Sequence, residues 1–406
     1  SGESKTVTKK GASADLKFEN TYKTGEAEAE VKATKKLTGR DLKADEFEFS
    51  LTPVSAVAED GTAITDSNAA QTTKNTEGGA VVFEKLKYTK AGTYTYEMKE
   101  TSAGGNGVTV DSRVYTVTVT VVDNGDGTLT ANPAYSIDKE KVAPEFINTY
   151  KAEPVETTVS GTKTLTGQTL KEDQFDFELR LVEKDNATVS GDAQKVLTAK
   201  NKADGSISFG TLKYTEAGTY VYEAKETSES GNGISVDTSI FTVTVKVKDN
   251  GLGQLVIESQ TVKKNGVSEP LAFKNEYKTG EAEAEVKAKK TLTGRDLKAD
   301  EFEFSLTPVS AVAADGTTAI EDTNTAQTTK NTEGGDVVFG KLTYKKAGTY
   351  TYEMKETSVN GNGVTVDSTV YTVIVTVVDN GDGTLTARSE EHTSELQSRR
   401  HLVCRL

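Results

Sequence analysis

The sequence predicts an all-β protein built of tandem immunoglobulin-like β-sandwich domains, one in each repeat of about 128 residues. Three observations predict this fold. The chain contains an internal repeat of domain size, apolar residues alternate with polar ones as in strands, and turn-forming residues separate the alternating segments. The 406 residues include 35 Gly. Thr, Val and Tyr are also frequent, which is typical of strands and turns rather than of disorder.

The internal repeat is visible in a segment with the pattern KxLTG followed by FxFxL. It occurs around Lys35, Lys163 and Lys290, so the spacings are 128 and 127 residues. Each copy is followed by AGTYxYExKE and then by a valine-rich segment that ends in DNGDG or DNGLG. A period of this length gives each repeat enough residues to form a core of its own.

A third marker closes each repeat, as FENTY at 18–22, FINTY at 146–150 and FKNEY at 273–277. The copy at 18–22 has no repeat before it, and the next closing Asn, expected near 404 or 405, is replaced by Cys404 and Arg405. The predicted organisation, in chain order, is the closing strand of a missing preceding repeat at 1–22, complete repeats at 23–150 and 151–277, a truncated third repeat without its last strand at 278–387, and a tail at 388–406.

The tail at 388–406 differs in composition from the rest of the chain. It has no strand alternation and contains both His, the only Cys and four of the eight Arg. We expect it to be non-native sequence resembling translated sequencing-adapter read-through, with a short disordered tail as the alternative. It is therefore excluded from the fold prediction.

Within the first repeat, alternating apolar residues mark the strands in order. These apolar positions are Ala29, Val31, Ala33 and Leu37; Phe47, Phe49 and Leu51; Tyr94, Tyr96 and Met98; and Tyr115, Val117, Val119 and Val121. The pair Asn124-Gly125 is typical of a type I′ hairpin turn, and the polar segment 55–79 is expected to be an exposed loop. About seven to nine short strands in each repeat favour a sandwich.

Composition excludes several classes of function. Lys and Arg number 48 and Asp and Glu 62. The net charge of −14 argues against nucleic acid and anionic membranes as partners, since both favour a basic surface. No run of 18 apolar residues and no signal peptide is visible, so no membrane insertion is expected in this fragment. Residues 1–387 lack His and Cys, which excludes disulfides, thiol catalysis and His-based triads there, and no metal or cofactor is expected.

The core-facing positions of the first strand include a lysine. Residues two apart in a strand share a face. The apolar face that runs from Ala29 to Leu37 contains Lys35, and the other repeats place Lys163 and Lys290 at the same position. The neighbouring position varies between Lys and Thr, as expected for a solvent-facing site. The sequence therefore predicts a lysine on the core side of each repeat.

The tyrosine strand and the closing strand direct two more polar groups inward. A glutamate follows the tyrosine face at the same two-residue spacing in all three repeats, at Glu100, Glu226 and Glu356. The closing strand carries an asparagine between two aromatic residues, at Asn148 and Asn275, and at Asn20 in the copy at 18–22. Each complete repeat thus directs one Lys, one Glu and one Asn into its interior.

Burial of these three groups has two explanations. The first is a Lys–Glu ion pair with the Asn hydrogen-bonded beside it, which is marginal at best for stability. The second is chemical, because desolvation lowers the pKa of a lysine and raises that of a carboxyl group, so that a neutral amine and a neutral acid coexist. The amine then attacks the side-chain carbon of the Asn, the acid transfers the proton, ammonia leaves, and an amide joins Lys to Asn.

The motif set KxLTG, FxFxL, YxYxxxE, YTVTVTVxDNGDGTLT and FxNxY resembles the streptococcal pilin isopeptide linkage domain of Gram-positive major pilins and surface adhesins. The resemblance covers residues 18–387 and occurs three times. It implies that a Lys on the first strand and an Asn on the last form a spontaneous intramolecular isopeptide bond, with a Glu between them as catalyst.

Carried over residue by residue, the resemblance implies two complete triads, Lys35, Glu100 and Asn148, and Lys163, Glu226 and Asn275. In the third repeat Lys290 and the catalytic Glu356 match the family, but no Asn does. Asn20 matches without a Lys or a Glu. Lys290 and Asn20 are therefore unpaired crosslink candidates within one chain, and head-to-tail linkage between two chains is a hypothesis.

The resemblance implies a structural stalk or pilus-type surface protein, extracellular and attached to the cell wall, whose partners are other pilin or surface-protein subunits. The alternative is an adhesin that binds a host matrix ligand through exposed loops such as 55–79 and 308–335. Near identity of these loops in the first and third repeats favours the spacer. A turnover enzyme is not expected, because the chemistry consumes its own residues once.

Two other patterns are weaker indications of a site. DNGDG at 123–127 and at 379–383 is faintly similar to a calcium loop, but its spacing fails the EF-hand pattern and Leu252 replaces one carboxylate in the second repeat. A hairpin turn is the preferred interpretation. The glutamates at 26–30 and 281–285 could be glycosidase carboxylates, but the solvated face of a strand explains them better.

Overall fold

The structure, a computed structural model, describes residues 18–393. These residues fall into two compact units. The first unit runs to Val155 and also contains residues 213–217 and 247–257, and the second contains 156–212, 218–246 and the residues from 258 onward. The boundary between the units therefore lies inside the second sequence repeat.

Both units consist of strands and turns, so the all-β prediction is confirmed, as is the prediction of repeated β-sandwich domains. Over residues 18–393 the helical structure amounts to one 3-10 turn, Gly191–Ala193. No helix in that range combines the length and the apolar character that crossing a bilayer requires.

The first repeat forms short strands because its apolar residues alternate with polar ones. The strands are β1 Ala27–Ala29, β2 Lys32–Thr38, β3 Glu48–Val57, β4 Gln71–Lys74, β5 Ala80–Val82, β6 Leu86–Tyr88, β7 Gly92–Glu100, β8 Val108–Thr109, β9 Val114–Asp123, β10 Leu129–Ile137, β11 Glu140–Lys141 and β12 Glu145–Tyr150. The segment 55–79, expected to be a loop, thus contributes the end of β3 and all of β4.

The strands of the first repeat form sheets whose inner faces share one core. A six-stranded antiparallel sheet has the order β11-β10-β9-β7-β3-β4, and a four-stranded sheet has the order β5-β2-β12-β8. The tyrosine face of β7 and the valine face of β9 are buried, with Tyr96 and Val117 fully inaccessible. They pack with Phe49 and Phe146 in one cluster, so side chains two apart on each strand supply the core.

The first and last long strands of the repeat are neighbours. Strand β12 pairs with β2 in parallel, with Phe146 opposite Lys35 and Asn148 opposite Leu37. Parallel strands place the side chains of equivalent parity on the same face. Lys35 and Asn148 therefore lie on adjacent strands and point into the same core.

The second repeat follows the same plan. Its strands are β13 Val155–Thr166, β14 Asp176–Lys184, β15 Ala187–Thr188, β16 Val196–Lys200, β17 Ser206–Tyr214, β18 Gly218–Glu226, β19 Ile234–Ser235, β20 Ile240–Asp249, β21 Leu255–Lys264, β22 Val267–Ser268 and β23 Ala272–Tyr277. The last strand, β23, again pairs in parallel with the first, β13, so that Lys163 lies opposite Phe273 and Leu165 lies opposite Asn275.

The third repeat retains the large sheet and a shorter first strand. Its strands are β24 Ala282–Ala284, β25 Lys287–Lys289, β26 Glu303–Ala313, β27 Gln327–Lys330, β28 Asp336–Val338, β29 Leu342–Tyr344, β30 Gly348–Glu356, β31 Val370–Asp379 and β32 Leu385–Thr393. The segment 308–335 therefore also contains strand, as 55–79 does. Strand β25 ends one residue before Lys290, whereas β2 continues three residues past Lys35.

The two ends of the described chain can be compared with the predicted closing strand at 1–22 and the predicted tail at 388–406. Residues 18–22 form no strand in this chain. Residues 388–393, assigned by sequence to the tail, extend β32 along β31 from Thr376 to Tyr371. A strand needs only backbone partners at a sheet edge, so it continues without apolar alternation. The origin of this segment stays a prediction, and residues 394–406 lie outside the described residues.

Candidate functional site

The lysine, glutamate and asparagine of the first repeat meet in its core. Lys35 extends from β2, Glu100 ends β7, and Asn148 lies on β12. Lys35 Nζ donates to Glu100 Oε2 over 2.7 Å, and Asn148 Nδ2 donates to Glu100 Oε1 over 2.7 Å. One carboxylate therefore holds the amine and the carboxamide side by side.

These three groups are removed from solvent. The side chains of Lys35 and Glu100 are fully inaccessible, and Asn148 is equally buried. Burial lowers the pKa of the Lys35 amine below its ordinary value, although the hydrogen bond to Glu100 opposes that shift. The lysine is thus closer to its neutral, nucleophilic form than a lysine in water is.

Aromatic rings surround the amine. The Phe47 ring centroid lies 4.5 Å from Lys35 Nζ, and the Phe49 centroid lies 5.8 Å away. Phe146, two residues before the asparagine, packs against both Phe49 and Tyr115 with centroid distances of 5.0 and 5.1 Å. The FxFxL motif therefore supplies the low-dielectric wall that keeps water from the lysine.

Asp111 completes the site from the segment before β9. Its backbone N–H donates to Asn148 Oδ1 over 2.7 Å, and its Oδ2 accepts the backbone N–H of Ile147 over 2.7 Å. Desolvation raises the pKa of Asp111, but hydrogen bonds from Arg113 and Ile147 outweigh it and bring the value to about 2. The residue stays a carboxylate that fixes the closing strand, while its amide points at the asparagine oxygen.

The second repeat reproduces this geometry. Lys163 Nζ donates to Glu226 Oε2 over 2.5 Å, and Asn275 Nδ2 donates to Glu226 Oε1 over 2.7 Å. The backbone N–H of Asp237 donates to Asn275 Oδ1 over 2.7 Å. Phe175 lies 4.5 Å from the amine, and burial again lowers the pKa of Lys163. The structure thus brings together both triads predicted from the sequence, with the same donors and acceptors in each.

The third repeat brings together two of the predicted residues. Lys290 Nζ donates to Glu356 Oε2 over 2.7 Å, and the Phe302 ring centroid lies 4.3 Å from the amine. Asn20, the remaining candidate, is exposed on the segment before the first repeat. Among the described residues no group of three or more His, Cys, Asp or Glu side chains is arranged to hold a metal ion.

Asp111 and Asp237 are site residues that the sequence patterns do not single out. The segment NGVTVD at 106–111 has the pattern of a turn entering a strand, which predicts no role in the site. A signal was present, since an aspartate precedes the valine strand in every repeat, as VDS at 110–112, VDT at 236–238 and VDS at 366–368. Its function depends on which strand folds back beside it, which the local pattern does not encode.

Comparison with known families agrees with the repeat pattern. Residues 31–151, 159–278 and 286–399 each match the family model described as the Spy0128-like isopeptide containing domain, FctA. These matches cover most of the chain. The chain belongs to this family. The resemblance to the streptococcal pilin domain, drawn from the motifs, is therefore confirmed.

Several solved structures are similar to these Spy0128-like domains. The major pilin of Streptococcus pyogenes is 17% identical over 62% of this chain and 98% of the pilin, with a TM-score of 0.24. BcpA, the major pilin subunit of Bacillus cereus, is 15% identical over 88% of this chain and 97% of its own, with a TM-score of 0.17. The pilus adhesin SpaC of Lactobacillus rhamnosus GG is 14% identical over 90% of this chain and 44% of its own, with a TM-score of 0.19. A comparison with curated protein sequences gives no match.

Proposed function

We propose that this chain is part of an extracellular pilus-type or surface stalk whose first two repeats each close an isopeptide bond. The bonds join Lys35 to Asn148 and Lys163 to Asn275. The observation that carries the proposal is the bridging carboxylate, because Glu100 holds the amine and the carboxamide at 2.7 Å each inside a dry core. Because the fold holds the amine and the carboxamide next to each other, the reaction needs no diffusional encounter between them.

The reaction begins with a proton transfer along an existing hydrogen bond. The Lys35 ammonium gives a proton to Glu100 Oε2, which produces a neutral amine and a neutral carboxylic acid in the core. The nitrogen lone pair then attacks Asn148 Cγ, and the carbonyl π electrons move to Oδ1. The backbone N–H of Asp111 already donates to that oxygen and stabilises the negative charge that develops there.

The leaving group departs through the same carboxyl group. Glu100 gives its proton to Asn148 Nδ2, with which it is already hydrogen-bonded, and takes up the proton that the attacking nitrogen loses. The C–N bond to Nδ2 breaks, the carbonyl re-forms, and ammonia leaves. The products are one amide bond and one ammonia molecule, so no oxidant, metal or nucleotide is needed.

The alternative at the same site is an unreacted ion pair. An ion pair of this kind returns little net stability, since desolvating both charges offsets their attraction. The core location of three polar groups in two successive repeats is better explained by a covalent product. Closing a loop of roughly 110 residues adds about 4–5 kcal/mol by the chain-entropy estimate.

The bond also determines how tension passes through a repeat. It joins the first strand to the last, so a pulling force is carried by an amide rather than by the hydrogen bonds of the β2–β12 ladder. An amide is indifferent to redox conditions, unlike a disulfide. These properties suit a cell-surface stalk whose partners are other pilin or surface-protein subunits.

The intact mass of the folded, full-length chain tests the proposal. The expected mass is lower than the sequence mass by two ammonia molecules, and Glu100→Gln should restore one of them. Glu97→Gln is the matched control, because Glu97 lies on the same strand but pairs with Lys99 at the surface. A folded chain of unmodified mass would leave the ion pair as the explanation. Binding assays on host matrix proteins would address the adhesin alternative.

A further inference from the structure

We propose that the third repeat accepts the closing strand of a second copy of this chain, so that Lys290 of one copy forms an isopeptide bond with Asn20 of the other. This inference rests on the proposed function, because it uses the same reaction. It differs from that function in its product, which is a head-to-tail covalent oligomer rather than a bond within one repeat.

The acceptor side is a built site that, within residues 18–393, contacts no asparagine. Glu356 is 3% exposed through its side chain, and its Oε2 accepts from Lys290. Its other oxygen, Oε1, has no hydrogen-bond partner in the described part of the chain. The equivalent oxygens of Glu100 and Glu226 accept hydrogen bonds from the Nδ2 atoms of Asn148 and Asn275. A buried carboxylate oxygen without a partner is costly, and an asparagine amide would satisfy it.

The amide that faces the asparagine oxygen in the other repeats is also present. Asp367 is the counterpart of Asp111, and its backbone N–H makes only a long 3.4 Å contact with Glu356 Oε2. In the complete repeats that amide donates over 2.7 Å to the asparagine Oδ1. The donor for the developing oxyanion is therefore in place at Lys290.

The surroundings of Lys290 have the shape that a strand would fill. Tyr371 is half-buried, whereas its counterpart Tyr115 is fully buried beneath Phe146. Gly294 has open space where a Cβ would stand, whereas a Cβ on its counterpart Gly39 would meet the carbonyl of the closing strand. The partly exposed ring of Tyr371 and the free space beside Gly294 thus mark the positions that a closing strand would cover next to β25.

The donor side is the segment 18–22. Its sequence, FENTY, differs from the closing strand FINTY only at the second position, and that position is partly solvent-facing in the first repeat, where Ile147 is 38% exposed. Phe18 is 93% exposed and Asn20 is exposed, so the residues that would enter the groove are not committed elsewhere. A glutamate at the second position fits the solvent side of the strand.

A second observation places 18–22 in the role of a closing strand. Tyr22 Oη donates to Asp123 Oδ1 over 2.7 Å, in the hairpin of the first repeat. Tyr150, the last residue of the closing strand β12, makes the same bond with Asp249 in the next hairpin. The segment 18–22 therefore already has the connection to the following repeat that a closing strand has.

The second copy is favoured as the source of the amide. The side chain of Asn380, in the hairpin after β31, is bonded to Thr384 and Thr386, whereas Asn20 is exposed within a copy of the closing motif. The reaction balances as before, since Lys290 Nζ replaces Nδ2 on the Asn20 Cγ and one ammonia leaves for each junction. A head-to-tail oligomer results, because Asn20 is the donor and Lys290 the acceptor in every copy.

The test is a denaturing gel with intact masses on concentrated full-length protein. The expected result is a ladder of dimers and longer oligomers, each junction lacking one ammonia in addition to two for each chain. Asn20→Ala and Lys290→Ala should each abolish the ladder and keep both internal bonds. Mixing these two variants should restore a dimer and nothing longer, because only one acceptor–donor combination remains. Lys289→Ala is the matched control, since Lys289 is exposed and pairs with Asp336.

Three results would overturn the inference. Monomer alone at high concentration, with both internal bonds present, would contradict the trans reaction and leave the proposed function intact. A monomer that has lost three ammonia molecules would show closure within one chain instead. A ladder that survives Asn20→Ala would assign the donor to another residue. Loss of the internal bonds as well would instead be a failure of the proposed function.

Discussion

Tyr150 Oη donates a 2.7 Å hydrogen bond to Asp249 Oδ1, which joins the end of a closing strand to the hairpin of the following repeat. The same hydroxyl accepts the backbone N–H of Gly253 over 3.2 Å. The bond recurs between Tyr277 and Asp379 over 2.6 Å. The hairpin motif, which has a faint similarity to a calcium loop, thus uses its first carboxylate to hold a tyrosine.

Replacement of this hydroxyl tests its contribution. We expect Tyr150→Phe to lower the free energy of unfolding of the first repeat by about 1.5–3 kcal/mol, the range for a hydrogen bond to a charged group. Asp249→Asn retains an acceptor oxygen and should lose less. Calorimetric unfolding of the full chain measures both, and equal stability of Tyr150→Phe and the wild type would contradict the expectation.

Asp111 is expected to be a positioning residue for the first crosslink. Asp111→Ala removes the carboxylate that accepts the Ile147 amide, and so loosens the strand that carries Asn148. We expect the Lys35–Asn148 bond to form about tenfold more slowly, the effect of about 1.4 kcal/mol on the barrier. Asp111→Asn retains an acceptor and should recover part of the rate.

The crosslinks are measured by mass at intervals after refolding. The Lys163–Asn275 bond of the same molecule is an internal control, because its own Asp237 is unchanged. A merely structural role for Asp111 would lower stability without separating the two rates. Equal rates at the two sites in Asp111→Ala would therefore refute the positioning role.

The lowered pKa of Asp111 predicts a specific acid sensitivity. Its value of about 2 lies below the ordinary 3.8, so the folded chain binds this proton less tightly than the unfolded chain does. The stabilisation is complete above pH 3.8 and is lost as the pH falls towards 2. The contribution at neutral pH is about 2 kcal/mol.

This acid sensitivity is best measured where no bond can form in the first repeat. In an Asn148→Ala background, chains with Asp111 and with Asp111→Asn should differ most in thermal stability above that pH window. Their difference should shrink within it. A difference that stays constant down to the lower end of the window would show that Asp111 is not the titrating group.

The inward direction of the triad could be predicted from sequence because strand alternation maps directly onto faces. Lys35, Glu100 and Asn148 each share the parity of buried neighbours, and no knowledge of strand order was needed. The role of Asp111 could not be predicted in this way, since its amide meets Asn148 only after two distant segments have folded together. The extension of β32 past residue 387 could not be predicted from the sequence either, because pairing through the backbone requires no particular pattern of side chains.

Two glycines with one backbone conformation test how closely the last strand must approach. Gly39 has φ of +94° and Gly294 has φ of +95°. A Cβ on Gly39 would lie 2.0 Å from the Tyr150 carbonyl oxygen, whereas one on Gly294 would meet nothing within 4 Å. Gly294→Ala should therefore cost only the left-handed strain of about 1–2 kcal/mol, and Gly39→Ala should cost more.

The same pair separates the crosslink within a chain from the crosslink between chains. Gly39→Ala should also slow the Lys35–Asn148 bond, because the closing strand is displaced from its register. Gly294→Ala should leave both internal bonds intact but suppress the oligomer ladder, since the Tyr22 carbonyl of a second copy would meet the added methyl group. Mass spectrometry and denaturing gels on the two variants measure both effects. An undiminished ladder from Gly294→Ala would mean that no strand docks at that edge in the geometry of the first two repeats.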